Sequence, residues 1–414
     1  MTLRLTAEER AMLAGSRGEP VRRALEQQIE VGEFFGAKRL VPVTNVHMMG
    51  DIEVMGDAGL AFLRDTCGRA ARCARPTTTN ARSIDFAHAA ALGQDPIEVD
   101  KERELIACLR RMDVATVDTC INYQTLYQPH FGEHLAWGDT GTVIYANSVF
   151  GARSNFESGP AALAASLTGR TPAYGFHLDE CRRGTLLVRV EAQLADLADW
   201  GALGKLVGEP HQDYFAVPVF AGIERPPLAD ELKHLGCSLA SYGSMAMYHM
   251  AGVTPEARTA KEAFGGRAPT ATLRITDADI EAVYRGYGYG EGGTVVVFSG
   301  PQLSLLELRT LARLFDGRAA HPSVRVFVTT SHPVLAEARR LGYAQVLETA
   351  GATLLGGVCF YILQNLSRLR EANGWTNLVS NSAKLVNTIT AHRFRTILRR
   401  TEECVEIAVR GRPA

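Results

Sequence analysis

Apolar residues recur along this chain in two rhythms, and the alternation of those rhythms predicts its architecture. Val21, Leu25, Ile29 and Phe35 make one stripe behind Pro20, the spacing of an amphipathic helix that ends by Gly36. Residues 7–14, 59–67, 101–112, 142–150, 160–167, 194–206 and 229–240 read as further helices. Shorter apolar runs at 39–47, 114–117, 186–190 and 214–220 read as strands, the first emptying into a loop. Beyond residue 270, helical segments at 277–285, 303–315 and 333–341 alternate with strands at 294–298, 324–329 and 353–358. Such alternation implies an α/β protein whose sheets are mostly parallel and covered by helices on both faces. Residues 75–80, with three consecutive threonines, are too rich in hydroxyls for a core element and read as a polar turn. The run 244–250 is apolar without a clear period, and 254–269 reads as a connection to a final unit. The expected division is therefore an N-terminal α/β region over 1–255 and a C-terminal α/β unit over 256–414.

The polar residues then mark where chemistry is expected. Ligands of open α/β sheets sit beyond the carboxyl ends of the strands. Three turns of the predicted pattern fall there: Thr119-Cys120, Ser299-Gly300-Pro301-Gln302 and Cys359. Residues 119–180 gather a thiol, carboxylates, imidazoles, a guanidinium and amides among small residues, either a satisfied polar network or a site awaiting a polar ligand. His47 falls at a predicted strand end, and Ser382 is placed to cap a helix whose N-terminus and Lys384 would suit an anion. Gly288-Tyr289-Gly290-Glu291-Gly292-Gly293 matches a dinucleotide fingerprint in letters only, because it precedes a strand instead of opening a helix.

Composition narrows the class. The 414 residues are 46% hydrophobic and 21% charged with a net charge of −1, an ordinary globular balance that draws the chain to neither nucleic acid nor an anionic membrane. No apolar run approaches the roughly 20 residues of a membrane span, and the N-terminus has no signal-peptide pattern, so a cytoplasmic location is expected. The eight cysteines include no CxxC pair, which favours reduced thiols over a disulfide scaffold. With only six lysines present, Lys233 and Lys384 are conspicuous.

Several segments together resemble the aconitase X family: Pro76-Thr77-Thr78, residues 132–138, residues 145–155 and Gly169-Arg170-Thr171-Pro172. So do His177-Leu178-Asp179-Glu180, Leu232-Lys233, residues 252–257 and Asn381-Ser382-Ala383-Lys384. The likeness runs in one order from about Leu5 to Gly411 and covers the family's large, catalytic subunit. It implies an aconitase-like three-layer α/β/α architecture, with two or three subdomains around a shared cleft. It also implies a hydro-lyase acting on a small hydroxy carboxylate such as a hydroxyproline-type compound. Family members dehydrate cis-3-hydroxy-L-proline or mevalonate 5-phosphate with an iron centre held by three cysteines. Cys120 matches the first of these and Cys359 the third, but Gly300 and Gln302 stand where the family has its middle cysteine and a histidine. Asn122 replaces a proline, Phe156 an arginine and Cys181 an asparagine, and Asp139-Thr140-Gly141 stands in place of Glu-Ser-Ser. The implied cofactor is thus either none or a single iron on Cys120 and Cys359, in preference to an intact iron–sulfur cluster. The family's small swivelling domain, which supplies a catalytic serine, is not found in these residues, and a separate small subunit is the expected partner.

On this resemblance the expected catalytic residues are His47, Glu133, His134, Ser382 and Lys384. Thr78, Asn80, Asn147, Ser148, Arg153, Asn155, His177 and Asp179 are expected to bind substrate. Arg153 or Lys384 would take a carboxylate, and His47 would exchange the proton. Two rivals remain open: a cluster-free isomerase or lyase of a small carboxylate, and a non-catalytic metabolite-binding partner subunit.

Overall fold

Val295, Val296, Val297 and Phe298 are fully buried because their strand, Gly293–Leu303, runs down the middle of a five-stranded sheet. In the computed structural model, which describes residues 3–411, this strand lies between Val324–Thr330 and Trp375–Ser380. Ala352–Gly356 and Arg395–Leu398 form the edges, and every pairing is parallel. Helices cover both faces, so the strands read as continuous apolar runs. Leu303, expected to begin a helix, ends the strand instead. Ser304 then starts the helix Leu305–Phe315 with a reciprocal bond pair to Glu307.

Two further parallel sheets precede it. The first has the order Val114–Ala115, Thr77–Thr79, Val46–Met48, Ala136–Trp137. The second has the order Ala271–Ile275, Leu186–Val190, Pro218–Ala221, His249–Met250. These mostly parallel sheets with flanking helices form the expected three-layer α/β fold. Strand Ala271–Ile275 pairs back onto Leu186–Val190, so the second sheet straddles residue 255, where the pattern places a boundary. Among the described residues, no helix is long and apolar enough to cross a membrane.

Two local readings are corrected. Thr77–Thr79, expected as a polar turn, is an inner strand of the first sheet. Its hydroxyls are satisfied inside the fold: Thr77 pairs with the Ser166 hydroxyl at 2.8 Å and Thr79 donates to Asp118 at 2.8 Å. A strand of threonines is therefore buried at little cost once each hydroxyl has a partner. The single strand expected over 39–47 is two: Leu40–Pro42 pairs antiparallel with Arg170–Pro172, and Val46–Met48 enters the first sheet. His47 consequently lies within a strand and not after it. The unassigned run 244–250 is held by side chains of the preceding region, with Asn147 donating to the Ala246 carbonyl and the Tyr248 amide donating to Ser148.

Candidate active site

The carboxyl ends of the first and third sheets meet, and one side chain joins them. Gln302 is wholly buried, and its Oε1 accepts from the Cys120 amide at 3.2 Å. Its Nε2 donates to the carbonyls of Asp118 and Val358, both at 3.3 Å. A second tie runs through Arg82, whose amide donates to Gly357 at 2.9 Å and whose carbonyl accepts from Cys359 at 3.0 Å. The Arg82 guanidinium is buried between Glu102 at 2.5 Å and Asp118 at 2.7 Å. These contacts bring Cys120, which follows Val114–Ala115, next to Cys359, which follows Ala352–Gly356.

Lys384 enters the same space from the short helix Ala383–Thr388, its Nζ 3.6 Å from Asp139 Oδ1. Cys237 approaches from the helix Ala229–Gly243, and its Sγ lies 2.7 Å from where a Gly141 Cβ would stand. Only glycine at 141 leaves room for that approach. Burial opposes the charge on Lys384, but the Asp139 carboxylate more than offsets it, so the ammonium is held above its ordinary range. Burial raises the thiols of Cys120 and Cys359, which keeps them protonated.

His47 sits beside them with Nδ1 2.8 Å from the Thr78 hydroxyl, and its ring lies against the Asn80 side chain and the Thr119 main chain with no well-aligned bond at Nε2. Its burial depresses its pKa to about 4, against the pull of Asp139, so the ring is neutral at physiological pH. Asn80 donates from Nδ2 to the Met49 sulfur, while its buried Oδ1 lies beside the His47 ring without a well-aligned bond. Ser382 is occupied: its hydroxyl donates to the Gly300 carbonyl and accepts from the Leu385 amide at 3.1 Å. The anion cradle expected at that helix start is thus filled by the serine's own oxygen, on a helix of six residues.

The remaining expected residues are elsewhere. Thr44 and Asn45 precede the strand Val46–Met48, and their amide and carbonyl bond to His134 and Ala136. His134 is therefore at the amino end of the first sheet, opposite Asp139. There Glu133 takes the hydroxyls of Thr44 and Tyr127 and the His130 amide at 2.6 Å. His134 and His177 share a proton between Nδ1 atoms 2.9 Å apart, and burial together with His177 and Arg153 pushes His134 down to about 4. Arg153 is held by Asp179 and by the His177 carbonyl at 3.1 Å. Asn147, Ser148 and Asn155 bond to main-chain groups of 154, 246, 248, 174 and 176 and brace the interior. Asp139, Cys237 and Gln302 join the cleft without standing among the residues expected to do chemistry. The sole sequence signals for them were the departures at 139 and 302.

The residues present do not fit a three-thiolate iron centre. Gly300 offers no side chain, adopts φ +63°, and a Cβ there would stand 3.2 Å from Leu385 Cβ. Gln302 spends its amide on main-chain groups. Among the described residues, no three His, Cys, Asp or Glu side chains converge to hold a metal ion.

Three family models match in succession: Aconitase X first domain over 2–180, second domain over 184–285 and third domain over 293–410. A phosphomevalonate dehydratase large subunit from Thermococcus kodakarensis is 34% identical over 92% of this chain and 93% of its own. A cis-3-hydroxy-L-proline dehydratase from Pseudomonas aeruginosa is 33% identical over 99% of this chain and 70% of its own. The crystal structure of Thermococcus kodakaraensis aconitase X in its holo-form superposes with a TM-score of 0.86. It shares 31% identity and covers 98% of this chain and 100% of that one.

Proposed function

The chain belongs to the aconitase X family and is a carbon–oxygen lyase, and from that premise we propose that it is the large subunit of a dehydratase for a small hydroxy carboxylate of the hydroxyproline type, with an altered iron centre or none. One observation carries the placement of its chemistry. Lys384 and His47 both face Asp139 at the carboxyl ends of the first and third sheets, and the buried Nε2 of His47 and Oδ1 of Asn80 lack well-aligned hydrogen bonds. The Lys384 ammonium has no hydrogen bond closer than its 3.6 Å ion pair with Asp139 and would take the substrate carboxylate as a point charge. The neutral Nε2 of His47 would accept the proton next to that carboxylate, and Thr78 at Nδ1 would orient the ring. Asn80 Oδ1 would receive a substrate hydroxyl or amine hydrogen. A separate small subunit would cover the cleft, as the names of the relatives suggest for those proteins.

The experiment is co-expression with a neighbouring small open reading frame, anaerobic purification, and incubation with cis-3-hydroxy-L-proline and with phosphomevalonate. Loss of one water from either compound by mass spectrometry supports the reading, and stoichiometric labile sulfide in the purified protein overturns its altered centre. The loss of the middle thiol at Gly300 also favours a cluster-free isomerase. Deuterium exchange next to the carboxylate without loss of water would select that reading instead.

A further inference from the structure

A buried polar atom without a partner carries its desolvation cost uncompensated, so each one in a native fold requires an explanation. Several lie within three residues of Cys120: both amide atoms of Asn122 and the hydroxyl of Tyr123. Tyr123 is 1% exposed, and its ring is stacked on Tyr145 at 4.1 Å and 17°, which fixes the direction of its hydroxyl. Tyr123 lies in the turn that follows Cys120, and Tyr145 ends the helix Thr140–Tyr145 that Asp139 caps, so the stacked ring sits between the two segments that bring Cys120 and Asp139 to the cleft. The Nε2 of His47, without a well-aligned bond, belongs to the same cleft, within reach of the Asp139 charge.

We propose that Tyr123 is a catalytic residue that hydrogen-bonds to the departing hydroxyl of the substrate and protonates it as water. This role rests on the dehydratase reading. In the step, the proton next to the carboxylate passes to His47 Nε2, its C–H electron pair becomes the new C=C bond, and the C–O bond breaks onto oxygen. That oxygen takes the Tyr123 proton and leaves as water. The proton held by His47 returns to the phenolate through solvent when the products depart. The net change is substrate to alkene and water, with no oxidant or reductant. Burial keeps Tyr123 a protonated donor. Hydroxide, a strong base and poor leaving group, needs such a donor to leave at neutral pH.

Tyr123→Phe in the two-subunit enzyme is the test, because it keeps the ring stacked on Tyr145 and deletes an oxygen that bonds to nothing in the fold. With cis-3-hydroxy-L-proline or phosphomevalonate as substrate, kcat should fall at least about 100-fold and KM should change less than about threefold. The thermal midpoint should hold or rise, which separates lost chemistry from lost folding. An active wild type matched by Tyr123→Phe to within about threefold in kcat overturns the role of Tyr123 and leaves the dehydratase reading intact. A wild type inactive on both compounds overturns the dehydratase reading and the role of Tyr123 with it.

Discussion

The ammonium of Lys384 lies 3.6 Å from the carboxylate of Asp139, an ion pair that spans the third and first sheets at their carboxyl ends. Asp139 is not free to follow the lysine, since its other oxygen accepts from the Gly141 amide at 2.9 Å and begins the helix Thr140–Tyr145. The pair is thus a fixed anion and a cation with donors to spare, which suits a carboxylate ligand on the lysine.

Lys384→Met should lower kcat/KM for the dehydrated substrate by about 100-fold or more, because it removes the cation meant for the carboxylate. Arg153→Ala should leave kcat/KM within about threefold. Arg153 is at the amino end of the first sheet, paired with an Asp179 that is 81% exposed. Asp179 stays solvated without its partner, and a pair with one exposed member contributes about 0–1 kcal/mol, so only a small drop in thermal midpoint should accompany the substitution. Steady-state kinetics on both variants check the assignment, and the reverse ranking would move the site to the amino end.

The buried His47 predicts a pH dependence of stability. Its folded pKa is about 4 against the ordinary value of 6.5, so between these values the unfolded chain binds the proton first. Stability contributed by keeping His47 neutral is therefore complete above about pH 6.5 and is lost as pH falls toward 4, by about 3 kcal/mol in all. Urea titrations across that window should show the slope in the wild type and a flatter one in His47→Gln.

Asp51 acts with the opposite sign. Burial and then Glu102 raise its carboxyl from 3.8 to about 7. The folded protein keeps a proton there that the unfolded chain has lost, so stability falls as pH rises from about 4 to 7. One oxygen caps the helix Ile52–Gly68 through the Glu53 and Val54 amides, and the other, where the proton would sit, lies beside the Ser83 side chain. Asp51→Asn keeps the cap and removes the titration. It should stabilise the protein by on the order of 4 kcal/mol at about pH 8 and by little at about pH 4.

Gln302→Leu should destabilise by about 2–4 kcal/mol, because it strands the Cys120 amide and the Asp118 and Val358 carbonyls inside the junction of two sheets. Thermal denaturation checks the magnitude. Activity should fall with it, since Cys120 and Tyr123 hang from the same turn.

Much of the fold was legible because burial on two faces writes itself as uninterrupted apolar runs, as in Val295–Phe298, and because helices advertise their caps, as at Ser304. Thr77–Thr79 was not legible, because its hydroxyls are matched by Ser166, Asp118 and His47, partners far away in the chain. The family, the lyase class and the two thiols flanking a glycine at 300 could all be read from residue order alone. Residue order could not say which end of the first sheet each polar group occupies. His134 and Asp139 are five positions apart, yet the strand Ala136–Trp137 between them carries one to the amino end and the other to the carboxyl end. Local pattern decides whether a segment is helix or strand. Which side chains face one another is decided by long-range strand order and by the bonds of Gln302 and Arg82, and those exist only once distant segments have packed together.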